Sequence, residues 1–136
     1  MPSCILRVSG STTKVRKFLA SSSIEPLRVF WKGEPRNPKS RVLIKTSGFN
    51  IELATAEGLE AQSKQAVRFI RKRKDDLLLI KSLGFSSISI DFCLYDMTTE
   101  DRPWPSYCLP RSLVQSAAEL GCEIKLSFYG MPPEAP

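Results

Sequence analysis

Apolar and polar residues alternate along five stretches of the chain, and each of these stretches is predicted to be a β-strand. In every stretch one face is apolar and the other is mixed. This pattern is typical of a mainly antiparallel sheet that is covered on one side only. The five stretches are 4–9, 27–32, 49–53, 88–95 and 123–129, and residues 41–45 are expected either to extend the third stretch or to pair with it.

Three stretches show the spacing of amphipathic helices. The first follows a cap at Thr12 or Thr13 and ends in the serine run after Ala20, and the last runs from Pro110 to Leu120. Between them a long helix is predicted over 59–83, ended by the glycine that follows it. Its apolar stripe consists of Leu59, Ala66, Val67, Ile70 and Leu77.

The resulting order, β-α-β-β-α-β-α-β, predicts an α+β fold. We expect two layers, with a mainly antiparallel sheet and the helices on one of its faces. The first six elements match a ferredoxin-like β-α-β-β-α-β core, to which one helix and one strand are added. We expect a single domain over residues 1–129 and a flexible Pro-rich tail over 130–136.

The amino-acid composition excludes several kinds of catalytic and metal-binding site. Of the 136 residues 42% are hydrophobic and 25% are charged, which is typical of a folded domain. The chain has no histidine, which excludes Ser-His-Asp and Cys-His catalysis and histidine-ligated metals. Its four cysteines show no CxxC spacing, so we expect buried free thiols. We therefore predict no catalytic residue, no metal and no cofactor.

Charge is segregated along the chain, whose net charge is +6. Residues 1–74 contain 16 basic and 5 acidic residues, whereas residues 75–136 contain 4 basic and 9 acidic ones. This asymmetry indicates a polarised surface that favours an anionic partner. The N-terminus has no signal-peptide pattern and the longest aliphatic run is Leu77–Ile80, so we expect a cytoplasmic protein without membrane contact.

Two basic clusters are candidate partner-binding sites. One surrounds a tryptophan, two prolines and a glycine, and such loops often present functional side chains. The alternative for this cluster is a hairpin loop whose tryptophan packs on the core. The other lies on the polar face of the long helix, where the alternative is a solvated surface. The candidate residues are Trp31, Lys32, Glu34, Arg36, Lys39 and Arg41, together with Lys64, Arg68, Arg71 and Lys72.

Two other functions remain open. A nucleic-acid-binding module would use the 28–45 loop and the 64–74 helix face, and the open sheet face would add aromatic and basic side chains. A carboxylate- or Mg²⁺-dependent enzyme is a weaker hypothesis. The open face would present Arg28, Phe30, Lys32, Tyr95, Lys125 and Tyr129, and the carboxylates are Asp91, Asp96, Glu100 and Asp101.

Three short motifs resemble a family of short bacterial proteins of unknown function. They are Leu6–Gly10 (Leu-Arg-Val-Ser-Gly), Trp31–Pro35 (Trp-Lys-Gly-Glu-Pro) and Lys45–Phe49 (Lys-Thr-Ser-Gly-Phe). The family carries a Trp-x-Lys-Gly-Asp/Glu element, and Phe49 stands where it often has tryptophan. The resemblance covers residues 4–129. It implies no catalytic role and a place among immunity proteins of interbacterial toxin systems.

The leading hypothesis is accordingly a non-enzymatic binding protein, an immunity protein that neutralises a cognate toxin by direct contact. The basic surface predicts that the toxin presents an acidic face to it.

Overall fold

The computed structural model describes residues 3–95, 100–101 and 106–130. Asp96 and the tail beyond Gly130, both named in the sequence analysis, lie outside these residues. The described residues form an α+β fold of five strands and four helices. In chain order these are β1 (Cys4–Gly10), α1 (Thr12–Ser21), β2 (Arg28–Phe30), β3 (Ser47–Ala54), α2 (Leu59–Lys72), α3 (Lys74–Leu83), β4 (Ser87–Tyr95), α4 (Arg111–Leu120) and β5 (Glu123–Tyr129).

The strands form one sheet in the order β2-β3-β1-β4-β5. The pairs β2–β3, β3–β1 and β1–β4 are antiparallel. The fourth pair, β4–β5, is parallel from Ser89 opposite Glu123 to Tyr95 opposite Tyr129. The sheet is therefore mixed: three of its four pairs are antiparallel, as expected of a mainly antiparallel sheet, and the pair at this edge is parallel. The physical reason is the connection through α4, because a strand–helix–strand crossover returns the chain in its original direction.

The predicted long helix is two helices, which corrects the order to β-α-β-β-α-α-β-α-β. Arg73 separates them with φ −112° and ψ 30°, outside the helical region. No glycine or proline marks this break, and the apolar stripe continues from Ile70 to Leu77 across it. The Arg73 side chain instead reaches the segment after α1, where its Nη1 donates to Ser23 Oγ at 3.2 Å.

The core lies between the sheet and the helices. Phe18 of α1 stacks on Phe49 of β3 with ring centroids 4.4 Å apart, and Phe85 meets Phe49 edge-on at 5.6 Å. The predicted stripe of α2 and α3 is buried in the same cluster. Since the Phe49 side chain points toward the helices, its strand neighbours Gly48 and Asn50 face the opposite side of the sheet.

A buried glutamine connects α2 to the sheet. Gln62 is fully buried, and its Nε2 donates to the carbonyls of Ala56 and Cys93 at 3.0 and 3.2 Å. Gln65 Oε1 accepts the backbone N–H groups of Thr55 and Ala56. Three of these four bonds satisfy backbone groups of the β3–α2 connection, and the bond to Cys93 ties α2 to β4.

Candidate functional site

Residues 31–46 form an ordered hairpin beside the short edge strand β2. Gly33 N–H donates to the Ile44 carbonyl at 2.9 Å, Ile44 N–H donates to Glu34 at 2.7 Å, and Arg36 N–H donates to Val42 at 3.0 Å. Pro35 and Leu43 form an antiparallel bridge between the two arms. Residues 41–45 thus pair with the preceding arm of the hairpin and do not extend β3.

The base of the hairpin is attached to the core. The backbone N–H of Lys32 donates to Ser47 Oγ at 2.9 Å, and that buried hydroxyl lies 2.7 Å from Thr12 Oγ1 of α1. Trp31 is half-buried against the core, and the Arg16 guanidinium lies 5.4 Å from its ring centroid. Trp31 therefore holds the hairpin in place from the helix side, as the hairpin alternative described.

The tip of the hairpin is a turn held by its own side chains. Asn37 Oδ1 accepts the backbone N–H of Lys39 at 3.0 Å, and the Asn37 carbonyl accepts that of Ser40 at 3.1 Å. Ser40 Oγ in turn accepts the N–H of Val42. These local bonds leave the side chains of Lys39 and Arg41 exposed to solvent.

Between the hairpin and the sheet lies a cavity of about 650 Å³. Its sheet wall comes from the face turned away from the core, since Arg28 and Phe30 of β2 stand opposite Asn50 and Gly48 of β3. Its other wall is the hairpin, which Arg28 holds by donating from Nη2 to the Arg36 carbonyl at 3.4 Å. The lining residues are Arg28, Phe30, Arg36, Asn37, Val42, Leu43, Ile44, Lys45, Thr46 and Asn50.

The cavity is cationic. Arg28, Arg36 and Lys45 line it, and its lining includes no aspartate or glutamate. In the described part of the chain, three ion pairs form: Arg7–Asp91, Lys64–Glu60 and Lys74–Glu119. None of them involves a cation of the cavity. The cavity thus presents positive charge that the described residues leave uncompensated, as an anion-binding site does.

The candidate residues on α2 belong to a different surface. Lys64, Arg68, Arg71 and Lys72 are exposed on the side of α2 opposite its buried stripe. The hairpin cavity opens instead on the sheet face away from the core. Lys64 pairs with Glu60 at 3.3 Å across one helical turn, an exposed contact of the kind that contributes little. The structure therefore does not bring the two predicted clusters together.

Within the described residues, the carboxylates of the enzyme hypothesis do not form a cluster. Asp91 is buried and engaged: Arg7 Nε donates to Oδ2 at 3.0 Å and Ser127 Oγ donates to Oδ1 at 2.6 Å. Glu100 and Asp101 are exposed. Across residues 3–95, 100–101 and 106–130, no group of three potential metal ligands is found.

The thiols are free, and none of their shifted pKa values favours a nucleophile. Cys4 and Cys93 are buried, Cys122 is half-buried and Cys108 is exposed. Burial, together with the nearby Cys93 and Asp91, raises the pKa of Cys4 far above its usual value. Burial raises the pKa of Cys122 to about 12. Neighbouring Cys93 raises the pKa of Tyr129.

Of the three cavity cations, the sequence predicts only Arg36 as a partner-binding residue. It places Arg28 on the open sheet face and includes both Arg28 and Lys45 in the 28–45 loop of the nucleic-acid alternative. A signal was present in the run Val42-Leu43-Ile44, whose three aliphatic residues stand between Arg41 and Lys45. Exposed apolar side chains that form a contiguous patch are a feature of interaction surfaces.

Comparisons of the chain with protein-family models, with curated proteins and with solved structures return no match. No helix of the described residues has the length and apolar character needed to cross a membrane.

Proposed function

We propose that this chain is a non-enzymatic binding protein and that the basic hairpin, residues 31–46 with Arg28, contacts an acidic protein partner. One observation carries the proposal: the hairpin is held in a fixed shape by backbone bonds while its cations remain without carboxylate partners among the described residues. A pre-ordered loop loses little conformational entropy on binding. Arginine is also enriched among the residues that dominate interface energies.

The resemblance to a family of short bacterial proteins of unknown function implies a place among immunity proteins. It gives the proposed partner a class, a cognate toxin that is neutralised by direct contact. Neutralisation of this kind requires only a rigid surface that covers the toxin, and it needs no catalytic group. A basic hairpin favours a toxin with an acidic face, because opposite potentials steer the encounter and suppress wrong partners.

The test begins with affinity capture from the source cell and continues with the purified partner. Wild-type protein is compared with Arg36→Glu/Arg41→Glu and with the matched α2 variant Arg68→Glu/Arg71→Glu, which changes charge equally. We expect the hairpin variant to weaken binding about 100-fold or more and the α2 variant to change it much less. A captured partner that is strongly basic, or equal losses from both variants, contradicts the proposal.

Nucleic-acid binding is a second candidate because Phe30, an aromatic residue on the sheet face away from the core, lines the cavity together with Arg28 and Arg36. A single strand would place a base on the ring and phosphates on the cations. This function predicts binding that weakens steeply as salt rises, and absence of binding to RNA or DNA at about 50 mM salt removes it.

We also propose that the first four strands follow the ferredoxin-like arrangement, in a two-layer fold with the helices on one sheet face. The strand order β2-β3-β1-β4 with antiparallel neighbours supports it. In this arrangement the cavity wall on β2 and β3 lies on the sheet face opposite the helices. An experimental structure with a helix packed across Arg7 and Asn50 would contradict it.

A further inference from the structure

Two chemically different sets of residues line the cavity between the hairpin and the sheet. The cationic half of the lining consists of Arg28, Arg36 and Lys45. The apolar half consists of Phe30 and the aliphatic run Val42–Ile44. Val42 and Leu43 are 52% and 54% exposed, so they give the cavity mouth an apolar surface that water covers in the free protein. A ligand that matches this lining carries both negative charge and an apolar group.

The cationic half requires more than one negative charge. Three cations share the cavity without a carboxylate in its lining, and like charges in one cavity repel one another until anions enter. Two arginines favour carboxylate or phosphate groups, because the guanidinium offers a planar pair of donors. Asn37, Thr46 and Asn50 add neutral polar groups to the lining.

The apolar half of the lining favours a protein ligand over a nucleic acid. Bases bind by stacking on exposed flat aromatic rings, whereas this surface is mainly aliphatic. Its one aromatic ring, that of Phe30, lies against Gly48: a Cβ at Gly48 would approach the ring to within 2.6 Å. Aliphatic side chains instead gain from covering another apolar side chain, at about 25 cal/mol per Å² of buried apolar surface.

The cavity shape is fixed before any ligand arrives. The hairpin arms are joined by three backbone bonds of 2.7–3.0 Å, and the Arg28 guanidinium holds the Arg36 carbonyl from the sheet side. A volume of about 650 Å³ is large enough for two or three amino-acid side chains and is of the usual size for a ligand pocket.

We propose that this cavity is an anchor site for a short protein segment in which acidic residues flank a leucine or an aromatic residue. Its carboxylates pair with Arg28, Arg36 and Lys45, and its apolar side chain covers Val42 and Leu43. This inference rests on the proposed function and specifies the chemistry of the partner at the same site.

The first experiment measures binding of capped, fluorescein-labelled peptides by fluorescence anisotropy at about 50 mM salt, where surface charges are weakly screened. The probe is Glu-Asp-Leu-Phe-Asp-Glu. Its controls are Gln-Asn-Leu-Phe-Asn-Gln, which lacks the charges, Glu-Asp-Ser-Ser-Asp-Glu, which lacks the apolar pair, and a short oligouridylate. We expect the probe to bind about tenfold more tightly than each control. Equal binding of the two acidic peptides, tighter binding of the oligouridylate, or no saturation by the probe overturns the inference.

Two variants separate this inference from the function on which it rests. Val42→Ser/Leu43→Ser changes only the exposed apolar half, and Arg36→Gln/Lys45→Gln changes only the cationic half. We expect each pair to weaken binding of both the probe and the purified protein partner by about tenfold, with an unchanged thermal unfolding midpoint. If the partner depends on the cations but not on Val42 and Leu43, the anchor inference fails and the proposed function stands. If neither variant weakens the binding of an acidic partner, the proposed function fails as well.

Discussion

Arg7 and Asp91 form an ion pair across β1 and β4, with Arg7 Nε 3.0 Å from Asp91 Oδ2. The Asp91 side chain is 4% exposed and that of Arg7 is 42% exposed. A buried carboxylate is tolerated only when it is paired, and Arg7 and Ser127 together provide that pairing. Asp91, the first carboxylate of the enzyme hypothesis, therefore has a structural role in the sheet.

Removal of Arg7 tests this role. In Arg7→Met the Asp91 carboxylate keeps, among the described residues, only the Ser127 hydroxyl as a side-chain partner. We expect the free energy of unfolding to fall by about 2 kcal/mol, since water reaches the half-exposed site and limits the loss. Urea denaturation followed by circular dichroism measures the loss. Lys64→Met is the matched control, because it breaks the exposed Lys64–Glu60 pair and costs about 0.5 kcal/mol or less. Equal losses in the two variants would mean that burial of Asp91 is unimportant.

Gly48 is required where β3 passes between β1 and the Phe30 ring. A Cβ at this position would overlap the Val8 carbonyl oxygen and come within 2.6 Å of the Phe30 ring. Because the oxygen belongs to the backbone, it cannot rotate away, and Gly48→Ala is expected to cost about 2–3 kcal/mol of stability. Gly130→Ala, where nothing lies within 4 Å of the added Cβ, serves as the control. A thermal unfolding midpoint that Gly48→Ala leaves unchanged would contradict the close packing.

The Cys4 thiol makes stability depend on pH in the alkaline range. An unfolded thiol ionises near pH 9.0, whereas burial raises the folded pKa of Cys4 well above that value. Unfolding therefore releases a proton above pH 9, and the free energy of unfolding falls with rising pH by about 1.4 kcal/mol per pH unit for this thiol. Stability curves of the wild type and Cys4→Ala check the slope. We expect a shallower slope in the variant above pH 9, and parallel slopes would rule the effect out.

Thiol accessibility offers a simpler measurement on the same cysteines. Cys108 is exposed, while Cys4 and Cys93 are buried and Cys122 is half-buried. Near neutral pH we expect one thiol to react rapidly with a disulfide reagent and the other three slowly, with all four reacting in denaturant. Cys108→Ser should remove the fast phase, and a fast phase that persists in this variant would contradict the burial pattern.

The Lys45 side chain should be dispensable for folding. None of the three cavity cations pairs with a carboxylate in the described part of the chain, so Lys45→Gln removes repulsion without breaking an ion pair. We expect the free energy of unfolding to stay within about 0.5 kcal/mol of wild type or to rise slightly. Arg111→Gln, at the exposed start of α4, provides the comparison. A large loss in Lys45→Gln would indicate that this lysine supports the fold rather than a ligand.

Short sequence patterns predict several of the helices and strands well. Alternation along 88–95 and 123–129 gave β4 and β5 nearly to the residue, and Gly84 and Gly121 follow the ends of α3 and α4, both with positive φ. The predicted start of α1 is close to the observed one, although the helix is capped by the Ser11 hydroxyl and not by Thr12 or Thr13.

The rest depends on contacts between distant residues. The break at Arg73 follows no local signal, and its side-chain partner Ser23 lies 50 residues earlier. The cavity arises because residues 33–44 pair with one another and fold back beside β2, which puts Arg28, Arg36 and Lys45 around one space. Composition showed that this region is basic, but only the fold shows which cations converge.

The most direct test of the central claim is a ¹H–¹⁵N NMR titration of the full chain with the peptide Glu-Asp-Leu-Phe-Asp-Glu. We expect saturable chemical-shift changes at the backbone amides of 28–30 and 36–46, with little change along 64–72. In Arg36→Gln/Lys45→Gln the same peptide should bind about tenfold more weakly at these amides. Shifts centred on α2, or shifts at the hairpin that this variant leaves unchanged, would contradict the assignment of the hairpin cavity as the binding site.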